Sequence, residues 1–282
     1  MPIETIDGLA INYEVIGSGV PLLLFAPGGF DATIQKWRET TAWKGMDALG
    51  VLAAEHQVIV YDRRECGRSG GRVERLSWAS YTRQATALLD HLKIDQAYVL
   101  GGCMGCSVAL AFGAHCPERA RGLLLHWPVG GYRWKVNAQN RFQRHYNFAR
   151  ENGLKAVVER ARVGKSFWQD PEAGPWASVI ERDNSFAEQF PDRDLDRYLG
   201  IVMTTGRSMF DRDTAGGAEP EEILGIKAPA LIIPGDDPSH ATSGAHYLRE
   251  LLPKGDFWNV MPPEQTTRNV CERILEFCRR HG

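Results

Sequence analysis

Apolar residues run through this chain in two rhythms. Pro21-Leu-Leu-Leu-Phe-Ala26 is a continuous apolar stretch, as a strand covered on both faces should be. Gln57-Val-Ile-Val-Tyr61, Tyr98-Val-Leu100, Gly122-Leu-Leu-Leu-His126 and Ala228-Pro-Ala-Leu-Ile-Ile233 repeat it, and Phe257-Trp-Asn-Val260 predicts a short last strand. Between these runs the spacing turns helical. Tyr81, Ala85, Leu88, Leu89 and Leu92 share one face over 78–92, and Val108, Leu110, Ala111 and Phe112 begin a helix that Pro117 closes. A helix is expected near 243–252, and Val270, Ile274, Phe277 and Cys278 mark a final one. Ahead of all this, residues 3–6 and 9–16 alternate about Asp7-Gly8, a hairpin signal. Strand alternating with helix predicts an α/β chain: a mainly parallel sheet with helices on both faces.

From 129 to 225 the pattern offers no strand, only helical segments rich in aromatics such as Trp134, Phe142, Phe167, Trp168 and Phe210. The expected organisation is therefore a core at 1–128 and 226–282 with a helical cap at 129–225. Charge divides this middle: residues 133–165 carry a balance of +7 and residues 166–225 one of −8. Either the two halves face each other through solvated pairs of little individual worth, or Arg133, Arg141 or Arg144 holds a substrate carboxylate. The second alternative predicts a raised KM for an acidic substrate when each arginine becomes alanine.

Candidate chemistry gathers where the strand Tyr98–Leu100 meets its helix. Cys103 stands there between Gly101 and Gly105, small residues where a sharp turn leaves no room for a Cβ. A thiol at a helix N-terminus is biased toward thiolate. The segment resembles the nucleophile elbow of the α/β-hydrolase superfamily, with cysteine where serine is usual. Three other places resemble the same family: Pro27-Gly28-Gly29-Phe30, Tyr61-Asp62-Arg63-Arg64 with Gly67 and Ser69, and Ile233-Pro234-Gly235-Asp236-Asp237. The resemblance covers the core, not the cap, and implies an α/β-hydrolase fold. It also implies Cys103 as nucleophile, the N–H groups of Gly29 and Met104 as oxyanion donors, and Asp237, with Asp236 as alternative, as the acid. Cysteine at this position is similar to dienelactone hydrolases and polyhydroxyalkanoate synthases.

The family's histidine is missing. It belongs between the last strand and last helix, and 259–267 contains none. Three explanations stand open. The base has moved to His240, in the loop of Asp236-Asp237, or to His126, at the end of the strand after the elbow helix. Alternatively a ready thiolate needs no base, with Glu264 handling protons. Or the fold has been retired from catalysis and binds a ligand. If His240 is not the base, it caps the helix starting near Thr242; His126 would then be a packed strand-end residue.

Composition narrows the field further. With 282 residues and a net charge of −2, nothing in bulk favours nucleic acid or membrane as partner. Six cysteines in a chain of this length are no disulfide framework, and the first residues show neither a basic start nor an apolar run, so a cytoplasmic location is expected. Cys103-Met-Gly-Cys106 is also a C-x-x-C at a helix start, yet a thioredoxin-type reading leaves the elbow glycines unexplained. No paired-ligand spacing suggests a metal, and no cofactor is expected. The expectation is a hydrolase acting on an ester, lactone, thioester or other activated carbonyl small molecule through a Cys103 acyl-enzyme. Acyl transfer from the same thioester, or ligand binding without turnover, are the alternatives. Phe30, Trp127, Arg133, Trp134 and Phe142 are the expected substrate contacts, and a homodimer is left open.

Overall fold

A computed structural model describes residues 3–39, 43 and 47–282. Of the core expected at 1–128, positions 1–2, 40–42 and 44–46 lie outside the described residues. Eight strands form one sheet: β1 (Ile3–Ile6), β2 (Leu9–Ile16), β3 (Val20–Phe25), β4 (His56–Tyr61), β5 (Ala97–Gly102), β6 (Ala120–His126), β7 (Ala230–Ile233) and β8 (Gly255–Phe257). Their order is β1-β2-β4-β3-β5-β6-β7-β8. The two pairings made by β2 are antiparallel and all others parallel.

The central strands are buried along their length, which is why they read as unbroken apolar runs. Two buried clusters cover the two faces. One packs the helix Trp78–His91 and the elbow helix Gly105–His115; the other packs Ala48–Ala53 and Thr267–His281. Ser77 caps the first of these helices in a reciprocal box with Ser80, and Thr266 does the same with Asn269 for the last. Between β6 and β7 the described elements are all helical, beginning with Tyr132–Ala161, which breaks at Gly153. The charge division is met by pairs across the two halves, Arg144 with Glu172 at 2.8 Å and Arg160 with Asp170 at 2.6 Å.

Two details differ from the pattern. The last strand forms at Gly255–Phe257, not 257–260, because Trp258 N–H already closes the ladder on Ile232 and the chain then turns into Pro262. The short helices Lys36–Glu39 and Ala48–Ala53 give too few turns for a readable period.

The elbow is tight. A Cβ on Gly105 would collide with the carbonyl oxygen of Phe25, and one on Gly101 with the carbonyl of Gly105. Alanine is favoured over glycine in a helix by ~1 kcal/mol, but backbone cannot yield as a side chain can. We expect Gly105→Ala to destabilise the fold by ~1–3 kcal/mol, read as a lowered urea midpoint. An unchanged midpoint would mean that the elbow relaxes.

Candidate active site

β5 ends at Gly102, and Cys103 takes φ 54° before the helix begins. That left-handed conformation is strained for a residue with a Cβ, and it is held by Cys103 N–H donating to the His126 carbonyl at 3.0 Å. The side chain stands in a cavity of about 300 Å³ at the carboxyl ends of the parallel strands.

His240 reaches the same cavity from the loop after β7. Asp237 organises that loop. Its Oδ1 accepts the N–H of Ser239 at 2.8 Å and of His240 at 3.1 Å, and its Oδ2 accepts the His240 ring at Nδ1 at 2.8 Å. A backbone bridge from His240 to Gly130 ties the loop to the chain leaving β6. With Nδ1 donating to the carboxylate, Nε2 is left for the cavity. Among the described residues it is buried without an aligned hydrogen-bond partner, and the Cys103 sulfur is its electrostatic neighbour.

The charges follow from this packing. Burial opposes a thiolate at Cys103, but His240 and then the N–H groups of Gly28 and Met104 outweigh it, so the thiol lies below its ordinary value. Burial likewise opposes charge on His240, but Cys103 and then Asp237 prevail and raise it to about 9. The carboxyl of Asp237 is held low, its own burial outweighed by His240 and the two backbone N–H groups. Cys106 is the opposite case. Enclosed, with its Sγ donating to Gly101 and His126 carbonyls, it is pushed far up.

Several expected residues sit elsewhere. Asp236 is exposed, pointing the choice of acid to Asp237. His240 does not cap the following helix, whose flanking residue is Ala241. Phe30 and Phe142 pack against each other at 5.6 Å and against Phe167, inside the core and not in the cavity wall. Arg133 is exposed on its helix, away from the cavity. Trp127 and Trp134 do line it, with Gly29 and Met104. Of the two expected backbone donors, Met104 N–H reaches the sulfur; its companion there is Gly28. In the stretch where the resemblance seeks a histidine, Gln265 accepts the Trp127 indole N–H at 2.6 Å and donates to the carbonyls of Pro234 and Val260. That position fastens a cavity wall.

Four wall residues were not among the expected contacts. Trp43 and the Lys36–Asp31 ion pair, at 3.0 Å, come from a stretch with no readable period. Trp168 lies over Gly29 so closely that a Cβ there would come within 2.9 Å of its ring. Arg141 donates to the Trp168 carbonyl, and its guanidinium sits 4.8 Å from the ring centroid. Arg141 therefore braces a wall where a substrate carboxylate was one expectation. A cation over an indole contributes ~0.5–1 kcal/mol at partly exposed sites. Arg141→Ala should raise KM about two- to fivefold for neutral and acidic substrates alike, while Arg144→Ala, which removes one of the two arginines paired with Glu172, leaves it unchanged. A rise confined to acidic substrates would restore the carboxylate role.

Comparison with known proteins agrees with this architecture. The family model described as "alpha/beta hydrolase fold" matches residues 21–167. The Azorhizobium caulinodans protein named "Putative carbamate hydrolase RutD" is 34% identical over 250 residues, spanning 87% of this chain and 82% of that one. The 3-oxoadipate enol-lactonase 2 of Acinetobacter baylyi is 27% identical over 87% of this chain and 83% of its own. Among solved structures, a meta-cleavage product hydrolase from Pseudomonas fluorescens superimposes with a TM-score of 0.64 at 18% identity, over 100% of this chain and 98% of its own. Among the described residues no helix is long and apolar enough to cross a membrane. The chain belongs to the alpha/beta hydrolase fold family.

Proposed function

We propose that the protein hydrolyses a small activated acyl compound, an ester, lactone or carbamate, through a thioester on Cys103. One observation carries this reading: a strained, glycine-flanked thiol faces the free nitrogen of a histidine whose other nitrogen is held by a carboxylate. That is the nucleophile–base–orienting arrangement on which covalent acyl transfer depends. The names of the carbamate hydrolase and enol-lactonase relatives support the substrate range.

In this mechanism the Cys103 thiolate attacks the carbonyl carbon and the C=O electron pair moves to oxygen. Two fixed N–H groups, from Gly29 and Met104 in the cavity wall, stabilise the oxyanion; one such donor is worth ~3–4 kcal/mol in related sites. The carbonyl reforms as the bond to the leaving group breaks, and the His240 Nε2 proton passes to that group. Neutral His240 then takes a proton from water, whose oxygen attacks the thioester. Collapse releases the acid and returns thiolate beside imidazolium. Asp237 keeps its charge throughout and fixes the tautomer. We take the helical segment 129–225 as the cap whose Trp134 and Trp168 close the cavity. Intact mass after brief exposure to activated esters, lactones and carbamates tests the reading. A transient acyl adduct mapped to Cys103 is expected; no adduct and no turnover, with Cys103 slow toward iodoacetamide, would favour a binding protein.

A further inference from the structure

His126 closes β6, paired in the sheet with Gly102 just before the elbow cysteine, and its ring is part of the cavity wall. Trp127 stacks on that ring at 5.4 Å with an interplanar angle of 11°, and Trp43 lies against it at 4.7 Å. Burial, and then the charge on His240, push its pKa down to about 3, so at neutral pH the imidazole is neutral beside a charged His240. The carboxylate partner belongs to His240, so we assign the base to that residue and a different role to His126. Yet Nε2 is buried with no hydrogen-bond partner among the described residues. An unsatisfied buried nitrogen is costly, and phenylalanine would fill the same aromatic sandwich without that penalty. A polar ring kept there, in the wall of a cavity, points to a partner carried by the ligand.

We propose that His126 hydrogen-bonds a second oxygen of the substrate, distinct from the scissile carbonyl, and so selects acyl compounds bearing a hydroxyl or oxo group near the reacting carbon. The inference rests on the acyl-enzyme reading of Cys103 and narrows it to a substrate class. Neighbouring strand ends are ~4.8 Å apart, so the oxygen belongs two or three bonds from that carbon. A neutral imidazole offers one donor and one acceptor, which suits a hydroxyl in either sense and an oxo group in one. A neutral ring also takes on no charge when it donates.

The test compares p-nitrophenyl esters of 2-hydroxypropanoate and 3-hydroxypropanoate with the plain propanoate. Wild type should prefer at least one hydroxy ester by tenfold or more in kcat/KM. His126→Phe, which keeps the aromatic stack, should bring that ratio near one, and His126→Gln should retain part of it. Absence of any preference in wild type, or a preference that survives in His126→Phe, would overturn the proposal. Binding of the corresponding unreactive amides, read by quenching of the cavity tryptophans, must show the same loss of discrimination without any chemistry. Acyl adducts are followed in the same samples. Adducts without discrimination remove the role of His126 alone, whereas amide discrimination without adducts removes the thioester and leaves His126 as a ligand contact.

Discussion

Cys103→Ala is expected to abolish the acyl adduct and to lower kcat/KM by ~10⁴-fold or more, because residues that act as one unit fail together when the nucleophile is lost. The variant should fold normally. The side chain stands in the cavity, and the backbone strain at φ 54° is shared by any residue with a Cβ. Cys103→Ser separates two views of the site. A serine hydroxyl must surrender its proton during attack, while a thiolate has done so beforehand. If the protein uses a standing thiolate–imidazolium pair, serine is a poor substitute although geometry and base remain. Its residual rate should then rise as pH increases through the titration of His240, where wild type loses its acid. A serine variant as active as wild type would mean that His240 acts as an ordinary general base and that the lowered thiol value is incidental. An alanine variant with full turnover would remove Cys103 from the mechanism altogether.

The fold was legible because buried parallel strands declare themselves as apolar runs, and because Gly101 and Gly105 mark a turn that excludes every larger side chain. The site was legible in part. Cys103 is named by its place between those glycines, but its partner is not named by any spacing the family uses. In Asp237-Pro-Ser-His240 the acid and the imidazole share one loop, and a carboxylate that accepts from two following N–H groups folds it. Such a turn is chemically recognisable, since Asp readily accepts from the backbone two residues on, but nothing local says that it will face a strand two positions away in the sheet. The cavity wall was the least legible. Phe30, Phe142 and Trp168 are equally aromatic in sequence, and only tertiary packing sends the first two into the core and Trp168 over Gly29.

The electrostatics of that loop make the second large prediction. In His240→Ala the cation beside Cys103 is gone and burial, the largest opposing influence, is left to dominate. The thiol should rise from its lowered value, with only the Gly28 and Met104 N–H groups left to oppose burial. Since each pKa unit is tenfold in thiolate at fixed pH, iodoacetamide alkylation at neutral pH should slow by ~10-fold or more, together with a ~10²–10⁴-fold loss of kcat. Asp237→Asn acts one step further away. His240 owes part of its raised value to that carboxylate, so without it the imidazolium loses its proton at lower pH. In the proposed mechanism activity depends on a protonated His240, so it should fall as pH rises through about 9, and in Asp237→Asn this alkaline limb should move toward neutrality. The acid limb belongs to Cys103 and should shift upward in both variants, as a weaker cation holds the thiolate less firmly. Asp236→Asn supplies the control, because the exposed Asp236 carboxylate makes no contact with His240 among the described residues. If the alkaline limb moves in that variant and stays in place in Asp237→Asn, the acid has been misassigned. If neither carboxylate moves it, His240 draws its charge from Cys103 alone, and the thiolate–imidazolium pair becomes a dyad.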